Sequence, residues 1–140
     1  MSVNTELKTN PDAVTHGVIP YVQVEGAATA VDFYKKAFGA VERSRTPGQD
    51  GKLMNAQLEI NGGLLMVMDA LPEHGLPHQP SHSFTMQLIV PDGQGWFDRA
   101  VAAGCNVQTP FQKMFWGDLW GGLIDPFGIH WGVDQPAESQ

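Results

Sequence analysis

Cysteine is nearly absent from this chain: Cys105 stands alone among 140 residues. No disulfide can form within the chain, so its core must hold the fold, and a reducing compartment is the expected setting. Positive charge is scarce too. Eight Lys and Arg stand against fifteen Asp and Glu, a formal net charge of -7, and the basic residues form no stripe. That excludes nucleic acid and anionic membranes as expected partners, because both need cations to neutralise phosphate. The same balance would draw a cationic ligand. No apolar run approaches the ~20 residues of a membrane span. The opening MSVNTELKTNPDAVTHG has no apolar stretch of the kind a signal peptide needs. A soluble, cytoplasmic protein is expected.

What the chain does have is a core and a repeat. Hydrophobic residues make up 42% and charged residues 16%, the balance of a globular chain, and its length suits a single compact domain. Gly39 and Gly104 each close a helix-like run and lie 65 positions apart. Gly63 and Gly128 precede strand-like runs ending in Asp69 and Asp134, again 65 apart. A fixed interval points to one supersecondary unit used twice.

The order of elements repeats with it. VIPYVQV (18–24) reads as a strand. Ala27, Ala30, Val31, Tyr34, Ala37 and Phe38 fall at helical spacing, with Gly39 in the C-terminal cap position. AVERSRT and LMNAQLEI read as strands about a PGQDG turn, and Asn61, Gly62 and Gly63 turn the chain into LLMVMDA. In the second half FTMQLIV is a strand and Asp92 the N-cap of a helix to about Ala103, with Trp96, Phe97, Ala100 and Val101 as its buried stripe. Short strands follow over 105–109 and 117–124, then a DPFG turn and IHWGV. The expected architecture is α+β: two βαβββ modules, 18–69 and 84–134, forming a curved eight-stranded sheet in a domain over 17–135. Residues 1–16 read as a loose arm and the proline-rich 70–83 as a linker long enough to cover a cleft.

The text PYVQVEGAATAVDFYKKAFGA, the later FWGDLWGGLIDPFGIHW and the paired βαβββ halves resemble the vicinal oxygen chelate superfamily of glyoxalases, bleomycin-resistance proteins and extradiol dioxygenases. Within it the chain looks most like the PhnB-like, glyoxalase-like bacterial branch. The resemblance covers roughly residues 17–134. It implies a ligand cavity inside the sheet, a homodimer and, in metal-dependent members, one ligand from the first and last strand of each module. A divalent ion so held leaves positions open for two adjacent substrate oxygens.

Carried over residue by residue, those ligand positions fall on Ile19, Val67, Thr85 and Gly132. Two are hydrocarbon, one has no side chain, and a lone threonine hydroxyl is a poor transition-metal ligand. The usual metal centre, and hence a cofactor, is not expected. A relocated site could draw on Tyr21, Asp69, Gln87, His130 or Asp134, although strand-end aspartates are ordinarily solvated turn residues. Where the resemblance implies a His-Ala-Glu text in the third strand and a His in the fifth, this chain reads Asn55, Ala56, Gln57 and Gln87. Amides orient a ligand but exchange no protons near neutral pH.

His74, His78 and His82 are spaced by four, but Pro72, Pro77 and Pro80 prevent the helix that would stack them. They read as histidines on a flexible connector, and His16 as surface. His130 reads as a buried histidine held by a hydrogen bond, and Cys105 as a packing residue. Phe111, Phe115, Trp116, Trp120 and Phe127 crowd a stretch expected to be partly loop, at a cavity mouth or a dimer contact. The expected ligand-binding residues are Tyr21, Asn55, Gln57, Gln87, Trp116 and His130. The expected function is binding of a small cationic or aromatic molecule by a homodimer. The alternatives are a lyase, isomerase or dioxygenase with a relocated metal, and a regulatory or structural dimer.

Overall fold

The computed structural model describes residue 9 and residues 11–138. The expected arm therefore lies outside the described residues over 1–8 and at 10. Among the described residues there are eight strands and two α-helices, in the order β1 (Tyr21–Val24), α1 (Ala27–Phe38), β2 (Val41–Pro47), β3 (Leu53–Ile60), β4 (Gly63–Asp69), β5 (Met86–Ile89), α2 (Gly93–Ala103), β6 (Asn106–Lys113), β7 (Leu119–Ile124) and β8 (His130–Gln135). This is βαβββ twice, of α+β class. The strands form two four-stranded sheets, β1-β4-β3-β2 and β5-β8-β7-β6. In each, the first strand runs parallel to the last, and the other pairs are antiparallel. The chain forms two compact units, one running to Lys35 and from Gly39 to His78, the other Lys36–Phe38 with Gln79 onward.

In the first unit, strand alternation buries Val22, Val24, Ala56, Leu58, Leu65 and Val67 on one face. All six apolar positions named for α1 are buried. Gly39 ends that helix in the left-handed conformation, its N–H donating to the Lys35 carbonyl. β3 and β4 are joined across the pair Ile60–Gly63 by Asn61 and Gly62, at φ 50° and 82°. Two consecutive positive φ values match the twist of the strands they join, which is why Asn-Gly serves here.

In the second unit α2 packs on β6, β7 and β8. Phe97 and Ala100 are buried beneath it, whereas Val101, expected in the same stripe, is 38% exposed. Phe111 on β6 lies 5.7 Å from Phe97, so it is a half-buried residue packed beside α2. The segment expected as loop is mostly hairpin: β6 runs to Lys113 and β7 begins at Leu119. From the end of α1, Phe38 stacks on Trp131 with ring centroids 4.3 Å apart.

The repeat interval needs correction. Helix-ending Gly39 and Gly104 do correspond at 65. In the strands that flank each helix start, however, Val22 pairs with Val67 and Leu88 with Val133, an interval of 66. α2 is one residue shorter than α1, which brings the interval to 65, and the turn before β8 is one residue longer, which restores 66. Gly128 therefore matches Gly62, both at positive φ, and not Gly63. Asp69 matches Gln135, not Asp134.

Candidate functional site

The first sheet's less buried face carries Tyr21, Asn55 and Gln57. Tyr21 pairs with Met66, which pairs with Gln57 in turn, so these three form a row across the sheet. Asn55 lies two residues along on the same side. The Tyr21 hydroxyl donates to the Met54 carbonyl at 3.0 Å. Two grooves of this unit share Lys52 and include none of the six expected ligand-binding residues. One, of about 360 Å³, is lined by Glu25, Gly26, Asp69 and His78; the other, of about 570 Å³, by Asp50, Met54, Glu73 and His74.

In the second unit the corresponding face of β8 carries His130, Gly132 and Asp134, with Gln87 level with Gly132 and Trp120 level with Asp134. Trp120 Nε1 donates to Gln87 Oε1 at 3.1 Å. That bond lies flat over Gly132: a Cβ there would collide with Gln87 Oε1 and stand 2.8 Å from Trp120 Nε1. Trp116, 48% exposed in the hairpin turn, sits edge-on to Trp120 at 6.5 Å, and the almost fully exposed Phe115 sits edge-on to Trp116 at 4.9 Å. His130 is buried, with Nδ1 3.1 Å from Gln108 Oε1. Of the six expected residues, Tyr21, Asn55 and Gln57 thus share a face in one unit. Gln87 and His130 share a face in the other, with Trp116 reached through Trp120. Trp120 was read in the sequence only as one of the aromatic group at a cavity mouth or dimer contact, because only the pairing of β5 and β7 with β8 sets it beside Gln87.

The four carried-over metal positions do not fit an ion. Gly132 is roofed by the Gln87–Trp120 bond. Val67 is fully buried on the opposite face of its sheet, and register makes Met66 the residue that corresponds to Gly132. Ile19 and Thr85 precede β1 and β5. The relocated set fares no better. Asp69 Oδ1 accepts from Gly26 N and Ala27 N, and Oδ2 from Leu53 N, at 2.7–3.0 Å. It is a buried structural carboxylate rather than a solvated turn residue. Asp134 is 6% exposed, and burial together with a hydrogen bond and repulsion from Asp118 raises its carboxyl above the ordinary value. Among the described residues no three His, Cys, Asp or Glu come together as a metal site.

The remaining histidines are more engaged than a flexible connector implies. His78 Nδ1 lies 3.1 Å from the Gln23 carbonyl oxygen, and the His82 ring meets that of His130 at 4.5 Å. His16 is exposed. Cys105 is buried, and burial, with the charge of Asp125, pushes its thiol up to about 12. It is no nucleophile at neutral pH.

A fold of paired βαβββ units with a divergent ligand set matches a known class. Residues 14–133 match the Glyoxalase/Bleomycin resistance protein/Dioxygenase superfamily, and the chain belongs to it. It is 44% identical over 126 residues to the uncharacterized protein Rv0887c of Mycobacterium tuberculosis, covering 86% of this chain and 74% of that one. Among solved structures, the PhnB protein of Bacillus cereus is similar with a TM-score of 0.68 at 17% identity, covering 86% of this chain and all of that one. TnmS3, an antibiotic binding protein from Streptomyces sp. CB03234, is similar with a TM-score of 0.66 at 23% identity, covering 89% and 98%. No helix among the described residues is long and apolar enough to cross a membrane.

Proposed function

We propose that the protein binds an aromatic, cationic small molecule without a metal, as a homodimer, and that the Gln87–Trp120–Trp116 face of its second unit receives the ligand. The carrying observation is the Gln87–Trp120 bond over Gly132. Where the resemblance implies a metal ligand, this chain has an amide hydrogen-bonded to an indole. Indole faces attract planar and cationic groups. Asp134, opposite Trp120 on β8, hydrogen-bonds Asp118, and the negative charge this pair retains is the counter-charge for a cation. His130, on the same face of β8, is a further candidate contact, able to orient a ligand by a hydrogen bond. The same fold serves TnmS3, an antibiotic binding protein, which is consistent with a binding role.

Titration with proflavine, a planar aromatic cation, tests the site through quenching of tryptophan fluorescence. Trp116→Ala should weaken binding by about 1 kcal/mol, roughly fivefold, and Gln87→Leu should weaken binding more than it weakens folding. Quenching that is absent, or equal in Trp116→Ala, removes the site. An elemental scan showing stoichiometric Zn, Ni, Fe or Mn would overturn the reading in favour of a lyase, isomerase or dioxygenase. Sedimentation as a monomer at micromolar concentration would remove the dimer.

A further inference from the structure

We propose that Trp120 is a displaceable plug: its indole fills a slot that the ligand takes in its place, so the ligand is a flat, fused aromatic ring system with an N–H donor on its edge. The inference rests on the binding face proposed above and names the chemistry which that face selects.

The slot is a row across all four strands of the second sheet. Gln87 pairs with Gly132, Gly132 with Gly122, and Gly122 with Thr109. Gly121 meets Phe97 on the α2 side, so alternation turns the two central glycines to the opposite face. With no side chains between them, Gln87 and Thr109 wall a trough floored by backbone. The same row of the first sheet is Tyr21, Met66, Gln57 and Ser44, which has a side chain on every strand and no slot.

The Trp120 indole lies in this trough. A Cβ on Gly132 would stand 2.8 Å from Nε1 and 3.0 Å from Cζ2, and one on Gly122 would stand 3.1 Å from Cη2. The ring edge therefore takes the space of two missing side chains. Among the described residues one hydrogen bond holds it, from Nε1 to Gln87 Oε1 at 3.1 Å. Trp120 is half-buried and Gln87 exposed, so water competes for that bond and breaking it costs little. A planar ligand in the slot regains both contacts: ring over glycine backbone, and an edge N–H on Gln87 Oε1. Trp116, edge-on to Trp120, remains at the mouth as an aromatic wall.

Calorimetric titration of the full chain with proflavine, whose amino groups sit on the ring edge, tests the plug. A slot filled by its own indole binds in proportion to the fraction of time it stands open. Trp120→Ala should therefore bind about fivefold tighter than wild type, the worth of one exchanged hydrogen bond. Were the indole a fixed stacking face, that variant would bind more weakly, as is expected of Trp116→Ala. Equal or weaker binding by Trp120→Ala thus overturns the plug and leaves the ligand reading standing. The emptied slot should also take free indole, and N-methylindole about fivefold more weakly, since it lacks the N–H. Equal affinities would overturn the donor requirement. Should proflavine bind neither protein, the ligand reading fails, and indole alone decides the slot: no binding to Trp120→Ala removes it. A readout in wild type needs no variant slot to fold. The Trp120 indole N–H resonance, assigned by its loss in Trp120→Phe, should exchange faster with water once proflavine is bound. Unchanged or slower exchange means that the indole stays in place, and the plug is wrong.

Discussion

In the first unit the N–H groups at the start of α1 are taken from a distance. Gly26 is the N-cap, has no side chain, and leaves the work to Asp69 at the end of β4, which also holds Leu53 N. In the second unit the same task is divided. Asp92 caps α2 locally by accepting from Gly95 N, and Gln135 at the end of β8 accepts from Gly93 N. A buried carboxylate that ties helix, β3 and β4 together becomes a surface cap plus a neutral amide. One lesson is that a repeated fold conserves the donors to be satisfied more strictly than the residue that satisfies them. A second is that Asp134, which answers to Met68 rather than to Asp69, takes no part in capping and pairs its carboxyl with that of Asp118.

The sharpest way to break this comparison is to remove both caps. Asp69→Ala leaves two buried N–H groups and a part-buried one without their acceptor and should cost about 3 kcal/mol or more in urea denaturation. Asp92→Ala, an ordinary N-cap loss, should cost about 1 kcal/mol. Equal losses would mean that the division of labour described above has no energetic content.

Next in size is Gly132→Ala, which forces a Cβ into the Gln87–Trp120 bond and should destabilise by about 1–3 kcal/mol. Adding Gln87→Ala should recover part of that loss in a double-mutant cycle. Additive losses would show that Gly132 is small for some other reason.

Asp134 gives a smaller, pH-dependent effect. Its raised carboxyl value means that the folded state holds the proton more tightly than the unfolded chain. The resulting stability is complete below the unfolded value of about 3.9 and is lost as pH rises through the raised folded value. Asp134→Asn mimics the protonated form, so thermal melts should show it more stable than wild type at pH 7 and no more stable at pH 3. A melting temperature lower than wild type at pH 7 would argue against the carboxyl pair.

The smallest effect is expected at the edge strand of the first unit. Arg45, then Lys35, hydrogen-bond Glu42 and hold its carboxyl below the usual range against the opposing pull of burial. That stability is present above the unfolded Glu value and lost as pH falls through the lowered folded one. Glu42→Gln should cost only about 0.2–1 kcal/mol in urea denaturation at pH 7, because the cations are partly exposed. A larger loss would place this edge on a par with the interior carboxylates.

Much of the fold was legible because it is local. The face of α1 follows from a 3.6-residue period, its end from Gly39, and the span of β3 from alternation between the PGQDG and Asn-Gly turns. Asp92 was readable as a cap because its partner lies three residues on. Pro72, Pro77 and Pro80 excluded the helix that would stack the histidines, but said nothing of where each ring would go.

What the sequence by itself determined about this protein is the pair of βαβββ units and most of the buried positions, since periodicity and turn residues act over a few residues. Tertiary structure alone decided that the repeat is 65 in some strands and 66 in others, because one residue removed from a helix and one added to a turn cancel in the text while shifting the register between them. It also decided that Asp69 answers to Gln135, that Met66 rather than Val67 answers to Gly132, and that Trp120 reaches Gln87 over a glycine. Each of these depends on which residues stand side by side on neighbouring strands, and with a side-chain period of two a slip of one residue sends every side chain to the other face.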